Sequence, residues 1–254
     1  AAKNPCNPCN PCGAGEARDL DIPGRNLTGI HFAMDYLSQQ NRKVSGETVP
    51  SSEFIDAGGK NVLVIGGGDT GSDCVGTALR QGAKKVLQFE ILPEPPLTRS
   101  ASNPWPLWSK ILRSTHAQEE GGERRWAVMT RGFVGDQGQV TGVKCVEVDW
   151  PEGEDGSPMG PVEKSGTQFE QAVDLVILAM GFTAPTRNRI VDDLGIQLDH
   201  RGNIQADRHG MTSMAGIFVA GDMALGQSLV VKAIADGRRT AHGIMEFLRE
   251  NKPL

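Results

Sequence analysis

Residues 61–90, NVLVIGGGDTGSDCVGTALRQGAKKVLQFE, contain the pattern that decides the fold. The β-branched run Val62–Ile65 is typical of a strand buried on both faces of a parallel sheet. Glycines follow it at G-x-G-x-x-G spacing and open a segment with helical periodicity. A second apolar run, Val86–Phe89, then ends at the acid Glu90. The stretch predicts a complete βαβ unit.

This glycine spacing is typical of a loop that binds the diphosphate of a dinucleotide. In such a loop Gly66 permits the tight turn, Gly68 lets the diphosphate approach the backbone, and Gly71 lets the helix pack on the strand. An acid at Glu90 is placed to bind the adenine ribose. The alternative is an ordinary structural turn. The predicted coenzyme residues are Gly66, Gly67, Gly68, Asp69, Thr70, Gly71 and Glu90.

Charged residues near this loop leave some details open. Asp69 and Asp73 would repel a phosphate, so we expect them to cap the helix or to face the nicotinamide ribose. Glu90 favours NADH over NADPH, although an alternative phosphate site could be formed by Lys84, Lys85 and Arg99. The coenzyme is therefore predicted as NAD(P)H, with the phosphate preference undecided.

The chain after Glu90 changes character. A proline-rich stretch around Trp105 and Trp108 predicts an ordered loop, with the tryptophans packed under it or, alternatively, covering a nicotinamide. From Trp126 onward, alternating apolar residues predict an antiparallel meander, followed by a buried parallel strand at 174–180. Cys74 and Cys145 are expected to be buried thiols rather than nucleophiles.

A second candidate site lies near the end of the sequence. Residues 217–220, IFVA, predict another buried strand, and Gly221 and Asp222 follow at its carboxyl end, where open α/β sheets bind ligands. Ser228 is a suitable N-cap for a long helix with apolar or small residues at helical spacing. These positions are Val230, Ile234, Gly237, Ala241, Ile244 and Leu248.

The composition is that of an ordinary folded chain. Its 254 residues are 38% hydrophobic and 22% charged, with a formal net charge of -5. A mildly acidic chain offers no basic surface for a phosphate backbone, so no nucleic acid is expected as a partner. Apolar runs are far shorter than the roughly 18 residues of a membrane span, and the first residues lack a signal-peptide pattern. We expect a cytoplasmic protein with no membrane partner.

Several segments in the same order resemble one family. GGGDTGSDCVGTALRQGAKKV, FEILPEPP with NPWP, LAMGF, and GIFVAGD with GQSLVVKAIADGRRTA are similar to the small subunit of glutamate synthase. The stretches GAGEARDLDIPGR and GIHFAMDYL fit as well, so the resemblance extends from Gly13 to Leu248. It implies an α/β fold in which a Rossmann-like NAD(P)-binding domain, with a parallel sheet and a β-meander crossover, is inserted in a partial FAD-binding α/β domain.

The resemblance also implies cofactor roles. Ala179, Met180 and Gly181 would line the path of the nicotinamide dinucleotide, and Gly221 and Asp222 would face the ribityl and phosphate groups of FAD. A positive helix end would stabilise negative charge on the reduced flavin. No catalytic side chain and no metal are assigned, because the cofactors supply the hydride chemistry. The helix-end residues implied for the flavin are Gln227, Ser228, Leu229 and Val230.

The expected organisation has four parts: a low-complexity Asn-Pro-Cys tail (1–12), a partial FAD-domain segment and linker (13–55), the NAD(P)-binding domain (56–181) and a C-terminal FAD-domain segment (182–254). The family's N-terminal iron–sulfur segment and first FAD-binding turn have no counterpart here, so we expect a weak or incomplete FAD site. The tail cysteines are expected to lie in a flexible segment, and a cluster, a zinc site or redox-active thiols are the alternatives. They are Cys6, Cys9 and Cys12.

The expected function is that of a flavin-dependent NAD(P)H oxidoreductase of the glutamate synthase small-subunit type. Its partner would be the glutamate synthase large subunit or an iron–sulfur and FAD-binding segment. The alternative is a dinucleotide-binding or subunit-docking module without turnover on its own.

Overall fold

The computed structural model describes residues 13–152, 159–185 and 189–250. The Asn-Pro-Cys repeat with its three cysteines lies outside these residues. The chain divides into two compact units. The large unit comprises Asp19–Gly181, and the split unit combines residues up to Arg18 with those from Phe182 onward.

The strands and helices have the following bounds. The strands are β1 (Ala14–Ala17), β2 (Ile30–Phe32), β3 (Asn61–Ile65), β4 (Lys85–Phe89), β5 (Glu123–Arg125), β6 (Val128–Asp136), β7 (Gln139–Asp149), β8 (Val162–Glu163), β9 (Phe169–Ala172), β10 (Leu175–Leu178) and β11 (Phe182–Pro185). The helices are α1 (Ala33–Val44), α2 (Asp69–Arg80), α3 (His116–Glu120), α4 (Arg189–Asp193), α5 (Asp222–Leu225) and α6 (Val230–Glu250).

The large unit contains a five-stranded parallel sheet with the order β2-β10-β3-β4-β5. It includes the predicted βαβ unit, because α2 connects β3 to β4. The helix ends as predicted near Gly82, whose φ of +83° suits a residue without a side chain. The predicted parallel strand at 174–180 is present as β10, next to β3.

The two faces of this sheet are buried against different layers. Alternate residues of one strand point to opposite faces, so Val62 and Val64 of β3 pack with α1 and α2, whereas Leu63 and Ile65 pack with the meander strands. Both sets are 9% exposed or less, which explains why the strand is apolar at each position from Val62 to Ile65.

The crossover from β5 to β10 is the predicted antiparallel meander. Strand β6 pairs with β7, and β7 pairs in turn with β8 and β9. Phe133, Val140 and Val143 bury their side chains between this meander and the parallel sheet. The α/β class, the parallel sheet and the meander crossover are confirmed.

The structure differs from the expected organisation in residues 19–55. They belong to the large unit, whereas the sequence predicts a partial FAD-domain segment and linker over 13–55. The reason is packing: β2 pairs with β10, and Tyr36 of α1 is fully buried against the sheet. The described contacts of this segment therefore support the parallel sheet.

The split unit has a smaller core. Strand β1 pairs with β11, and a small apolar cluster contains Val191, Ile196, Ile204 and Val219. The strand predicted over 217–220 is wrong: Phe218 forms only an isolated bridge with Met211. Among the described residues, no neighbouring strand provides the ladder that a buried strand requires.

Helix α6 also differs from its prediction. The positions expected to form its apolar face are largely exposed, including Val230 at 73% and Leu248 at 59%. Its buried residues are instead Asp236, Thr240 and Gly243, which follow helical spacing on another face. None of the helices in the described ranges, α6 included, has the length and apolar composition needed to cross a membrane.

Candidate dinucleotide-binding site

The carboxyl edge of the parallel sheet brings three predicted site residues together. In the sheet register, Ile65 lies opposite Phe89 on one side and opposite Leu178 on the other. The next residues along these strands are Gly66, Glu90 and Ala179. They meet because parallel strands in register end at the same edge, where ligands of open α/β sheets bind.

Two of the three motif glycines are required by the fold itself. Gly66 has a φ of +124°, and a Cβ there would lie 2.2 Å from the carbonyl oxygen of Ala179. A Cβ on Gly71 would lie 2.2 Å from the carbonyl oxygen of Gly66. Both positions therefore exclude a side chain even without a ligand, in agreement with their predicted roles in the turn and in helix packing.

Gly68 has no such requirement. Its φ is -79°, which any residue adopts, and a Cβ there would meet no atom within 4 Å. Gly68 is also the N-cap of α2, a position where Ser, Thr, Asp or Asn would stabilise the helix better. The fold alone gives little reason for glycine here, whereas a closely approaching ligand does.

The start of α2 offers backbone donors beside Gly68. A helix leaves its first N–H groups without intrahelical acceptors, and the N–H of Ser72 is the first to bond back, to the carbonyl of Gly68. In the described structure no side chain caps this end. Of the two roles expected for Asp69 and Asp73, capping is not seen at this end, and their facing the nicotinamide ribose stays a prediction. The N–H groups of Asp69, Thr70 and Gly71 lie at an uncapped, positively polarised helix end.

The carboxylate of Glu90 lies next to this loop. Its Oε2 accepts a hydrogen bond from the N–H of Gly67 at 2.6 Å, and its Oε1 accepts one from the N–H of Leu92 at 3.0 Å. A Cβ on Gly67 would lie 2.6 Å from Oε2. Gly67 is thus also constrained, because the acid packs directly on it.

Two of the three residues considered as an alternative phosphate site, Lys85 and Arg99, have other partners. Lys85 forms an ion pair with Glu123 at 3.2 Å, and Arg99 donates to the carbonyls of Asn103 and Leu107 in its own loop. The side chains of Lys85 and Arg99 therefore have partners other than Glu90 in the described structure.

The two tryptophans of the long loop are not packed beneath it, so the first of the two expectations for them is wrong. Trp105 is 83% exposed and Trp108 is 59% exposed. The guanidinium of Arg113 stacks over the Trp108 ring at 4.2 Å from its centroid. This cation–π contact holds the Trp108 ring at the surface of the loop.

The chain segment after β10 passes the glycine loop. The N–H of Ala179 donates to the carbonyl of Ile65 at 2.8 Å, and Met180 packs partly buried against the meander core. Gly181, with a φ of +81°, ends the large unit. Ala179 therefore contacts the loop directly.

The candidate site of the split unit is built around Asp222. Its Oδ1 accepts hydrogen bonds from the N–H and the hydroxyl of Ser228 at 3.2 and 3.3 Å. The expected N-cap role of Ser228 is therefore wrong, because its hydroxyl bonds to Asp222 and α6 begins two residues later. Gly221, with a φ of +69°, donates its N–H to the buried Asp236 at 2.8 Å.

An open cavity of about 490 Å³ lies beside these residues. Gly221, Asp222, Ser228 and Val230 line it, together with Gly13 and the next turn of α6. Leu229 is partly exposed before α6, and Gln227 lines a separate pocket of the same unit with Arg18. The structure thus brings most of the residues implied for the flavin to one cavity.

The two buried thiols have raised pKa values and low reactivity. Burial raises the pKa of Cys74 to about 12 and that of Cys145 to about 11. Thiols with such values are protonated at neutral pH and are poor nucleophiles. Both cysteines are buried as predicted and play no part in the candidate sites.

A parallel sheet with a glycine loop at its carboxyl edge is typical of dinucleotide-binding proteins, and the comparison of families agrees with this class. Residues 12–237 match the family of pyridine nucleotide-disulphide oxidoreductases. The chain belongs to this family. The match covers the large unit and most of the described split unit.

Curated relatives show which members of this family the chain is most readily compared with. The chain is 45% identical over 95% of its length to the glutamate synthase [NADPH] small chain of Mycobacterium tuberculosis. It is 39% identical over 89% of its length to the glutamate synthase [NADH] of Schizosaccharomyces pombe. These alignments cover 49% and 11% of the two relatives, so the chain spans at most about half their length. The resemblance to glutamate synthase small subunits is confirmed.

Solved structures share the fold at low identity. Mycobacterium tuberculosis FprA in complex with NADPH superimposes with a TM-score of 0.70 at 16% identity, covering 94% of this chain and 63% of that one. Thioredoxin reductase of T. acidophilum gives a TM-score of 0.57 at 20% identity, covering 92% and 63%.

Proposed function

We propose that this chain is the pyridine-nucleotide region of a glutamate synthase-type oxidoreductase, which takes hydride from NAD(P)H and passes it to FAD. The observation that carries the proposal is Gly68. It is the one motif glycine that neither backbone strain nor a neighbouring atom requires, and it lies beside uncapped N–H groups. A diphosphate that packs on the backbone at this point would require a residue without a side chain.

The residues of the large unit would then have separate roles. The N–H groups of Asp69, Thr70 and Gly71 would bind the diphosphate, and Glu90 would accept a hydrogen bond from the adenine ribose. Ala179 and the two residues after it would line the nicotinamide path. The coenzyme supplies the hydride, and these residues bind and orient it.

Flavin binding is proposed for the split unit. Asp222 uses one carboxylate oxygen for Ser228, and its other oxygen accepts no hydrogen bond from the described residues. A ribityl hydroxyl could donate to that free oxygen. The first N–H groups of α6, at Val230 and Val231, have no intrahelical acceptor and fit an electron-rich flavin edge.

The partner would be the glutamate synthase large subunit, as the relatives' names suggest. The exposed apolar residues of α6 and of the long loop are compatible with further contacts, because large exposed apolar surfaces often mark interfaces. We also propose a cytoplasmic location, by analogy with the glutamate synthase relatives.

Titration calorimetry with NADH and with NADPH tests the coenzyme site. A folded sample, verified by circular dichroism, should bind at least one of the two coenzymes, with a stoichiometry of one molecule per chain. FAD should bind more weakly, because the cavity in the described split unit is open. Absence of heat with both nicotinamide coenzymes would remove the proposal.

A second assay separates turnover from binding alone. NAD(P)H-dependent reduction of an added dye is measured with and without FAD. Reduction that depends on FAD supports the oxidoreductase. Coenzyme binding without any FAD-dependent reduction would favour the other candidate, a binding or docking module that needs its partner for turnover.

A further inference from the structure

We propose that Gln88, a buried glutamine beneath the glycine loop, is a positioning residue that orients the loop for the coenzyme. The inference rests on the proposed coenzyme site. Gln88 occupies a position in β4 opposite Val64 of β3, on the face that packs against the helices. It is only 2% exposed. A buried amide is costly without hydrogen bonds, so its partners indicate its role.

The first partner is the loop itself. Nε2 of Gln88 donates to the carbonyl oxygen of Gly66 at 2.9 Å. The space for this amide exists because Gly71 has no side chain: a Cβ there would lie 2.8 Å from Nε2. The third motif glycine therefore accommodates a polar contact beneath the loop as well as the approach of the helix.

A second side chain extends the network. Nε2 of Gln118 donates to the hydroxyl of Ser72 at 2.6 Å and lies 3.5 Å from Oε1 of Gln88. The Ser72 hydroxyl in turn donates to the carbonyl of Gly68 at 3.3 Å. Thr115 holds Gln118 in place through its N–H, at 2.7 Å from Oε1.

The network thus holds two loop carbonyls from below. In a planar trans peptide the carbonyl and the following N–H point in opposite directions. Holding the carbonyl of Gly66 inward directs the N–H of Gly67 away from it, toward Glu90, where the hydrogen bond is observed. Holding the carbonyl of Gly68 inward directs the N–H of Asp69 outward, toward the expected diphosphate.

This arrangement gives Gln88 a role that a structural glutamine lacks. Replacing it with leucine keeps the size but removes the donor, so the carbonyl of Gly66 loses its buried partner. The loop then samples other peptide orientations, and the coenzyme must select the productive one. We expect the affinity for the bound coenzyme to fall about tenfold, which corresponds to one buried hydrogen bond.

Gln81 provides the matched control. It lies at the opposite end of α2, and its Oε1 accepts hydrogen bonds from the Tyr36 hydroxyl at 2.9 Å and from the N–H of Ala57 at 2.8 Å. Gln81→Leu should lower the melting temperature much as Gln88→Leu does. It should leave the coenzyme affinity unchanged, because it touches no part of the loop.

The experiment measures coenzyme affinity, melting temperature and amide hydrogen exchange of residues 66–72 for the wild type, Gln88→Leu, Gln118→Leu and Gln81→Leu. Weaker binding and faster loop exchange in Gln88→Leu, with neither change in Gln81→Leu, is expected. Wild-type affinity in Gln88→Leu, or an equal loss in Gln81→Leu, would overturn the proposal. If Gln88→Leu does not fold, Gln118→Leu decides in the same way, with a smaller expected loss.

The exchange measurement separates this inference from the proposed function. It is made without coenzyme, so it reports the orientation of the loop even if the wild type binds neither NADH nor NADPH. Faster loop exchange with no binding in any variant would contradict the coenzyme site alone. Unchanged loop exchange in a folded Gln88→Leu contradicts the positioning role.

Discussion

The backbone N–H of Gly67 donates a hydrogen bond to Oε2 of Glu90 at 2.6 Å across a separation of 23 residues. The contact exists because β3 and β4 run parallel, with Ile65 opposite Phe89. It places a carboxylate beside the glycine loop, at the position from which an acid can bind the adenine ribose.

The acid therefore should influence the choice of coenzyme. Glu90→Ala removes a ribose acceptor and also the repulsion of a 2′-phosphate, so NADH affinity should fall about tenfold while NADPH affinity falls less or rises. Calorimetry with both coenzymes measures the ratio. Glu94→Ala, which removes an exposed acid in the following loop, should leave it unchanged. An unaltered ratio in Glu90→Ala would show that the carboxylate does not face the ribose.

The glycines of the loop should separate into two classes. Gly68→Val should keep the chain folded and abolish coenzyme binding, because the added side chain enters space that the protein leaves open. Gly160→Val, in equally open space in the same unit, is the control and should bind normally. Retained affinity in Gly68→Val would remove this loop from the site.

Gly66→Ala should act through stability instead. Its φ of +124° and the 2.2 Å approach of the Ala179 carbonyl leave no room for a methyl group. The free energy of unfolding should fall by about 2 kcal/mol or more, as measured by denaturant titration. A variant of wild-type stability would mean that the loop lies farther from Ala179.

The buried thiols should be unreactive and should make stability depend on pH. At pH 8, iodoacetamide should label Cys74 and Cys145 only after unfolding, as read by peptide mass spectrometry. Their pKa values are raised in the folded state, to about 12 and about 11. Their contribution to the free energy of unfolding is therefore complete below the thiol pKa of the unfolded chain, roughly 8.5. It is lost as the pH rises above that value toward the folded-state pKa values. Rapid labelling of the native protein would contradict this.

The turn before α5 should depend on Asp236. Its Oδ2 accepts from the N–H of Gly221, and its Oδ1 accepts from Nε of Arg239 at 2.9 Å. Asp236→Ala should destabilise the split unit by about 2 kcal/mol and speed amide exchange at 219–222. Glu246, on the same helix as Asp236, is an exposed partner of His209. Glu246→Ala should lower the free energy of unfolding by less than about 1 kcal/mol. Equal effects of the two variants would contradict the role of Asp236.

The βαβ unit could be predicted from residues 61–90 because its signals are local. An apolar run, a glycine turn, helical periodicity and a second apolar run determine strand, turn and helix without distant contacts. The roles of Gly66 and Gly71 followed from the same spacing. Gln88 was missed because nothing in its neighbourhood distinguishes a buried hydrogen-bonded glutamine from a polar residue at a strand edge.

Tertiary contacts decided the rest. The sequence by itself determined the glycine loop, the meander and the burial of Cys74 and Cys145, since each depends on residue types within one segment. Only the folded chain decided that residues 19–55 join the parallel sheet, that α6 buries Asp236 rather than its apolar positions, and that Gln88 holds Gly66. The physical reason is that burial and hydrogen bonding at these positions depend on residues far away along the chain, which local patterns do not specify.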